Sequence, residues 1–296
     1  MNPSFFTIIG AAHDDQTIQL LGATHLHRTN PAIQHVTAGG VAANIARHLA
    51  AGMAGHGHRP HFIGVAGQRQ RDMLLGEFAA QGIKAVFIAK DGPTPSYTAV
   101  LDSDGELVVG AACMALYDEV RPVDINAHLP QTGTVIIDAN FPADVVAAIA
   151  DNLALPISLF AAGTSVEKID RLAPIIQRLD GLVLNRAEAA VLCAEADAPL
   201  DISVKDMALN LVAKVRRGGF VLVSDGGDAA ALAIGNDVVS ITPPVINPLN
   251  VNGAGDVMAA ALFGYAGRNK AIAKADMQQA LEQAVQAGAD YAAGAN

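Results

Sequence analysis

A glycine-rich segment near the carboxyl end of the chain has the composition of an anion-binding site. It is Asn250-Val251-Asn252-Gly253-Ala254-Gly255-Asp256, and a stretch with helical spacing follows at 257–264. Small residues let a ligand approach the backbone, and the first N–H groups of a helix have no partners within it. With the helix dipole, they bind anions. Asp256 either complements that dipole or acts as the base for an attacking hydroxyl, and these residues alone leave both interpretations open.

Two adjacent glycines precede another stretch with helical spacing. Gly39 and Gly40 come directly before 41–51, and Asn44 lies one turn into that stretch. Glycine lets a ligand touch the backbone, and the Asn44 amide can both donate and accept hydrogen bonds. This combination suits the hydroxyl groups of a sugar, although a tight turn with Asn44 on a solvated face would also account for it.

Acidic residues follow the first apolar run of the chain. The run Thr7–Gly10 leads into Ala11-Ala12-His13-Asp14-Asp15. A carboxylate at the end of a buried strand can accept two hydrogen bonds from a vicinal diol. We expect one of the two acids to serve this purpose and the other to lie on the surface.

Two further groups of residues suggest metal binding. Asn185 and Glu188 follow an apolar run at a spacing of three, so that they could hold a hydrated Mg²⁺ through water and carboxylate. A glutamate in a first helical turn is also common without a metal. His56, His58 and His61 lie in a glycine-rich connection without a cysteine or acidic partner. We expect these histidines to be solvated rather than to bind metal.

Short apolar runs alternate with stretches that have helical spacing. The runs are Thr7–Gly10, His61–Gly64, Thr134–Asp138, Gly181–Asn185 and Phe220–Ser224, and the helical stretches are 41–51, 71–81, 143–152, 165–179 and 204–217. Buried strands alternating with helices are typical of a mostly parallel sheet covered by helices, which predicts an α/β layered fold. Such sheets bind ligands at the carboxyl ends of their strands.

Two segments interrupt this alternation. Residues 17–21 with 33–37, and 96–102 with 106–110, have the pattern of antiparallel hairpins, and Ser103-Asp104-Gly105 supplies a turn in the second. We expect a small β-sheet that covers one edge of the site as a lid. Edge strands without a lid role are the alternative.

Composition limits the class of protein. Of the 296 residues 51% are hydrophobic, which predicts a globular chain, and the net charge of −10 disfavours binding to a nucleic-acid polymer. No apolar run reaches the roughly 20 residues that cross a bilayer, and the first residues do not have the pattern of a secretory signal. We expect a cytoplasmic protein without a membrane partner.

Cys113 and Cys193 are expected to be small buried hydrophobes.

Three of these segments resemble signatures of the ribokinase-like (PfkB) carbohydrate kinases. Asn252–Asp256 resembles their C-terminal signature Asp-Thr-Thr-Gly-Ala-Gly-Asp, Gly39 to Asn44 resembles the N-terminal one, and Asn185-x-x-Glu188 lies between them in the right order. The likeness extends over essentially the whole chain. It implies a single kinase domain over 1–296, with three α/β/α layers, a mostly parallel central sheet, and lid strands at about 16–37 and 95–111.

Other segments are similar to the pseudouridine kinases within that family. They are Gly10–His13, Asn30-Pro31, Gly39–Val41, Tyr97–Leu101, Met114–Tyr117, Asp138–Pro142 and Asn250–Asp256. The resemblance implies ATP as the phosphoryl donor, Mg²⁺ as cofactor, and the 5′-hydroxyl of a ribosyl compound, above all pseudouridine, as the acceptor. It also leaves room for a K⁺ requirement and for a homodimer formed through the lid.

The resemblance assigns roles residue by residue. Asp256 would be the base, and Gly253, Ala254 and Gly255 would form the anion hole. The acceptor would be bound by Asp15, Gly39, Gly40, Asn44 and Tyr97. The nucleotide would contact Asn185, Ser224, Gly226, Gly227 and Asn252, and Glu188 would hold Mg²⁺ through water.

The sequence also departs from the family pattern at several positions. Asn252 replaces a usual Thr, Ala42-Ala43 replaces a Gly/Ala-Arg pair, Ser224-Asp225-Gly226 replaces Thr-Leu-Gly, and Gln68 replaces a frequent Asp. These changes bear on the identity of the substrate more than on the reaction type. The alternatives are a kinase of another nucleoside or of a free sugar such as ribose or fructose, and a ligand-binding regulator without catalysis. Loss of Asp256 or of 253–255 would favour the regulator, but all four residues are present.

Overall fold

The computed structural model describes residues 6–55, 59–193, 202–249 and 251–295. The strands in these ranges are β1 (Phe6–Ile9), β2 (His13–Leu20), β3 (Ala32–Gly39), β4 (His61–Gly67), β5 (Lys84–Lys90), β6 (Ser96–Leu101), β7 (Leu107–Cys113), β8 (Thr134–Asp138), β9 (Ser158–Ala162), β10 (Gly181–Asn185), β11 (Phe220–Asp225), β12 (Ala229–Ile234) and β13 (Asp237–Ile241). The α-helices are α1 (Val41–Gly52), α2 (Arg71–Ala80), α3 (Ala115–Asp118), α4 (Pro122–Asn126), α5 (Ala143–Asn152), α6 (Arg186–Cys193), α7 (Val204–Val212), α8 (Ala254–Asn269) and α9 (Met277–Ala292).

The large sheet has nine strands in the order β13-β12-β11-β10-β9-β8-β1-β4-β5. All neighbours from β11 to β5 pair in parallel, and β12 and β13 extend the sheet as antiparallel strands. Successive side chains of a strand point to opposite faces. Ile8 accordingly packs into one apolar core and Ile9 into the other. Helices cover both faces, and the expected three-layer α/β/α fold is confirmed.

A second sheet of four strands has the order β3-β2-β6-β7. Two antiparallel hairpins, β2–β3 and β6–β7, join through parallel pairing of β2 with β6. The smaller sheet predicted from the hairpin pattern is therefore present. Since only three residues separate the end of β1 from the start of β2, and β3 leads directly into α1, this sheet starts at the carboxyl edge of the large one.

Some local expectations were wrong. The stretch 165–179 forms a 3₁₀ helix over Ile169–Arg178 instead of an α-helix, consistent with Pro174, which has no N–H to donate inside it. The helix expected over 204–217 ends at Val212. Cys113, expected to be buried, is exposed because it lies on β7 at an edge of the small sheet, whereas Cys193 is buried.

Of the three histidines in the glycine-rich connection, His61 is among the described residues. His56 and His58 lie outside the described residues, and His61 is partly buried at the start of β4 instead of solvated. Within the described ranges, no three His, Cys, Asp or Glu side chains are grouped so as to hold a metal ion. The same ranges contain no helix long and apolar enough to cross a membrane.

Candidate active site

The glycine-rich segment forms the N-terminus of α8. Gly253 is the N-cap residue, with a left-handed φ of 88° that side-chain-bearing residues rarely adopt. A Cβ at Gly255 would meet no atom within 4 Å, so the backbone there is open to a ligand. The first N–H groups of a helix have no partner within it. Here the Ala254 N–H donates to the Val251 carbonyl just outside the helix, at 3.3 Å. This geometry suits an anion.

Asp256 lies in this first turn and is partly buried. The Asn44 side chain of α1 donates a hydrogen bond from Nδ2 to its Oδ2, at 2.8 Å. Burial raises the pKa of Asp256 to about 7; the hydrogen bond from Asn44 opposes this shift, and the negative charges of Asp138, Glu188 and Asp15 add to it. Near neutral pH the carboxyl group can therefore both accept and release a proton.

A cavity of about 130 Å³ opens beside Asp256. It lies among the carboxyl ends of β9, β10 and β11 and the start of α8. Its polar lining includes Thr164, Asn185, Glu188, Ser224 and Asp256. The structure thus brings Asp256 together with three residues that the sequence suggested for the nucleotide and metal: Asn185, Glu188 and Ser224.

Asn185 and Glu188 bond to each other at the start of α6. The Asn185 N–H donates to Glu188 Oε2 at 3.0 Å, and the Glu188 N–H donates to Asn185 Oδ1 at 2.9 Å. This reciprocal capping arrangement explains their spacing of three. Glu188 is only 3% exposed, and burial raises its pKa.

The oxygen donors of this cavity fit Mg²⁺. Mg²⁺ prefers oxygen ligands and usually combines one or two protein carboxylates with waters and substrate phosphates. Glu188 supplies a carboxylate to the cavity lining, and Asn185 and Thr164 add further oxygen atoms.

The two glycines before α1 allow close backbone approach. Gly40 has a φ of 97°, and a Cβ there would overlap the carbonyl oxygen of Ala11. A Cβ on Gly39 would overlap the carboxylate of Asp15. The β3–α1 turn and Asp15 are therefore in direct contact, as a shared binding surface for an acceptor requires.

Asp138, at the end of β8, joins the segment after β1 to the start of α1 through hydrogen bonds. Its buried carboxylate accepts hydrogen bonds from the backbone N–H of Ala11 at 3.0 Å and of Ala42 at 3.1 Å, and from both the backbone and the side chain of Asn140 at 2.9 Å. Because Gly40 has no capping side chain, Asp138 substitutes for one at the start of α1. Sequence reasoning did not assign Asp138 to the site, although an acid that ends an apolar run was a usable signal.

Asp15 faces the site from the small sheet. Its side chain is 41% exposed, and Oδ1 lies 3.2 Å from His13 Nε2. Asp15 pairs in register with Tyr97 on β6, so that both side chains emerge on the same face of the small sheet. Tyr117 borders this region and donates a hydrogen bond to the Ala12 carbonyl at 2.9 Å.

The remaining nucleotide candidates lie further out. Ser224 is the register partner of Asn185, at the carboxyl ends of neighbouring parallel strands. Gly226 and Gly227 form the exposed turn between β11 and β12, and Asn252 is exposed just before α8. Ser224 lines the 130 Å³ cavity, whereas Gly226, Gly227 and Asn252 are not among its lining residues.

The chain belongs to the pfkB family of carbohydrate kinases, whose family model matches residues 15–295. It is 25% identical over 268 residues to the pseudouridine kinase of Escherichia coli K12, an alignment that covers 87% of this chain and 82% of that protein. A carbohydrate kinase from Agrobacterium tumefaciens has a TM-score of 0.80 and 26% identity, with 97% of this chain and 90% of the other covered. Ribokinase from Thermotoga maritima has a TM-score of 0.79 and 19% identity, with 98% and 93% covered.

These findings define the class of enzyme. The protein is a phosphotransferase that acts on a hydroxyl group, in a family of ATP-using sugar and nucleoside kinases. The expected kinase fold and enzyme class are therefore confirmed.

Proposed function

We propose that this protein transfers the γ-phosphoryl group of ATP to the 5′-hydroxyl of pseudouridine. The likeness to a pseudouridine kinase at 25% identity over most of both chains supports this acceptor over others. A ribosyl compound carries a vicinal diol and a primary hydroxyl. Asp15 suits the diol, since a carboxylate can accept from two neighbouring hydroxyl groups.

One observation carries the proposed mechanism: Asp256 is a partly buried carboxyl with a pKa of about 7 beside a helix N-terminus and a cavity. Its pKa matches the requirement for a general base at neutral pH. The first-turn N–H groups next to it suit the oxygens of a transferring phosphoryl group. An acid that only complemented the helix dipole would not need burial in a cavity with other acids.

The reaction is then an in-line displacement at the γ-phosphorus. The 5′-oxygen forms the new P–O bond, the bond to the leaving ADP oxygen breaks, and Asp256 accepts the hydroxyl proton. The backbone N–H groups at 253–255 neutralise developing charge on the phosphoryl oxygens. Mg²⁺, held by Glu188 through water, would supply further positive charge when it is bound.

The small sheet acts as a lid in this proposal. Asp15 and Tyr97 share its inner face, so that binding of the acceptor would draw that face towards the cavity. Closure excludes water, which otherwise competes with the acceptor for the γ-phosphoryl group. A K⁺ requirement and a cytoplasmic location stay predictions.

A substrate panel tests the proposed acceptor. ADP release with MgATP should be measured with pseudouridine, uridine, inosine, adenosine, ribose and fructose. We expect the highest kcat/KM with pseudouridine. A clear preference for another member would replace pseudouridine while keeping the kinase, and no turnover with any acceptor would favour a ligand-binding regulator.

The base is tested by Asp256→Asn. We expect kcat to fall at least roughly a hundredfold, the lower end of what loss of a general base costs, while ATP binding measured by calorimetry changes little. Asp72→Asn is the matched control, because Asp72 also lies in a first helical turn but is exposed on α2. Near-normal turnover of Asp256→Asn would falsify the assignment.

A further inference from the structure

Arg47 lies one turn after Asn44 on α1 and is not among the residues that sequence or family resemblance assigned to the site. Its Nη1 donates a hydrogen bond to Asn44 Oδ1 at 2.8 Å. Asn44 Nδ2 in turn donates to Asp256 Oδ2 at 2.8 Å. A continuous chain of hydrogen bonds therefore runs from the guanidinium through one amide to the carboxyl group.

Only one orientation of the Asn44 amide satisfies both neighbours. In the observed orientation the carbonyl oxygen faces the cationic donor and the NH₂ group faces the carboxylate. Rotating the amide by half a turn would oppose NH₂ to the guanidinium and carbonyl oxygen to the carboxylate. Both contacts would then be repulsive, because a guanidinium only donates and a carboxylate only accepts.

Arg47 is itself held in place by α2. Its guanidinium lies over the Phe78 ring, 5.3 Å from the centroid, and its Nε donates to Gln81 Oε1 at 3.2 Å. Phe78 is fully buried. These contacts restrict a long side chain that would otherwise sample many rotamers, so that the donor stays aligned with Asn44.

We propose that Arg47 is a positioning residue that fixes the Asn44 amide so that Nδ2 faces Asp256. The inference rests on the proposed role of Asp256 as the base. With Oδ2 bound by Asn44, the other carboxylate oxygen is left to take the hydroxyl proton. Asn44 keeps a second N–H and a second lone pair, so that this arrangement still allows it to bind a sugar hydroxyl.

The charged groups around the Asp256 carboxyl group and around the Arg47 guanidinium determine the expected direction of a pH effect. Asp256 is influenced by Asp138 at the end of β8, Glu188 on α6 and Asp15 on β2. Arg47 is influenced by Glu77 on α2, Asp15 and Asp14 on β2, and Tyr291 on α9, and it lies next to His48 on α1. The hydrogen bond from Asn44 lowers the pKa of Asp256. Loss of Arg47 weakens that hydrogen bond and should move the acid limb of the rate profile to higher pH.

The test is a double-mutant cycle of Arg47→Met and Asn44→Ala, with the best acceptor from the panel and MgATP. We expect Arg47→Met alone to lower kcat/KM for the acceptor about tenfold, the loss typical of one hydrogen bond to a charged group, without changing KM for ATP. In the Asn44→Ala background the same substitution should have no further effect. Arg71→Met is the matched control, since Arg71 lies on α2 and its Nε donates to the Phe87 carbonyl at 3.0 Å, without a contact to Asn44 or Asp256 among the described residues.

Thermal unfolding of all variants separates a folding defect from a catalytic one. An equal loss from Arg47→Met with and without Asn44 would overturn the inference, because Arg47 would then act by packing alone. Wild-type kinetics and an unshifted acid limb in Arg47→Met would overturn it as well. Either result, combined with an inactive Asp256→Asn variant, would leave the proposed function intact. An active Asp256→Asn variant would instead contradict the proposed function itself.

Discussion

At the scale of single residues, the raised pKa of Asp256 suits a general base but makes the ionised carboxylate unfavourable for folding. Its pKa rises from an ordinary value of 3.8 to about 7, chiefly through burial. A carboxyl group with a raised pKa binds its proton more tightly in the folded state than in the unfolded state. Its contribution to stability is therefore fully present below about pH 4 and is lost as pH rises through about 7. Above that range, the folded enzyme carries an ionised acid in an unfavourable place.

This conflict predicts that Asp256→Asn stabilises the protein in a pH-dependent way. At pH values above 7 the neutral amide should raise the free energy of unfolding by up to about 4 kcal/mol, since one pKa unit corresponds to roughly 1.4 kcal/mol. The gain should shrink towards acidic pH, where the wild-type carboxyl is protonated as well. Urea midpoints at several pH values measure it, with Asp72→Asn as the control. A gain that is equal at all pH values would contradict the raised pKa.

At the scale of elements, the β3–α1 turn contains two glycines with different constraints. The Cβ of an alanine at Gly39 would meet the Asp15 carboxylate, which is the mobile end of a side chain. At Gly40 it would meet the Ala11 backbone, and the φ of 97° is itself unfavourable for alanine. The first change disturbs a binding group, and the second disturbs the fold.

We therefore expect opposite outcomes from Gly39→Ala and Gly40→Ala. The free energy of unfolding of Gly39→Ala should lie within about 1 kcal/mol of the wild-type value. Its KM for the acceptor should rise several-fold, with KM for ATP unchanged. Gly40→Ala should lose about 2 kcal/mol or more of stability. Each variant serves as the other's control in urea unfolding and steady-state kinetics. Equal effects of the two substitutions on stability would contradict this account.

Sequence patterns predicted the elements better than the contacts between them. Five strands of the large sheet, β1, β4, β8, β10 and β11, and both hairpins of the small sheet followed from apolar runs and turn residues, because these signals are local. The other four strands of the large sheet, β5, β9, β12 and β13, were missed, since strands that are short or rich in small or polar residues gain their stability from neighbours in the sheet. The capping of α1 by Asp138 joins residues 96 positions apart, and the contact of Asn44 with Asp256 joins residues 212 positions apart. Spacing cannot reveal such contacts without a known fold.

At the scale of the whole molecule, the small sheet has two different faces. Asp15 and Tyr97 share the face that we assign to the acceptor. The opposite face, the outer face, contains Ile18, Val36, Val100 and Val109, which follow from the strand registers. Val36 and Val109 are each 54% exposed, and they lie on β3 and β7, the two edge strands. An apolar face bounded by open strand edges is a typical site of association.

We expect this outer face to join two copies of the chain into a dimer. Burying it would remove apolar side chains from water and leave the acceptor face of each lid free, so that dimerisation is compatible with catalysis. Light scattering should show a dimer for the wild type and a monomer for Val36→Lys with Val109→Lys, because charges on both edge strands oppose pairing. Val123→Lys is the control, since Val123 is 67% exposed but lies on α4, outside the small sheet. A monomeric wild type, or equal dissociation by Val123→Lys, would contradict the prediction.

If the dimer forms as expected, the double variant should also hydrolyse ATP faster without acceptor, because a lid freed from its partner closes less tightly over the site.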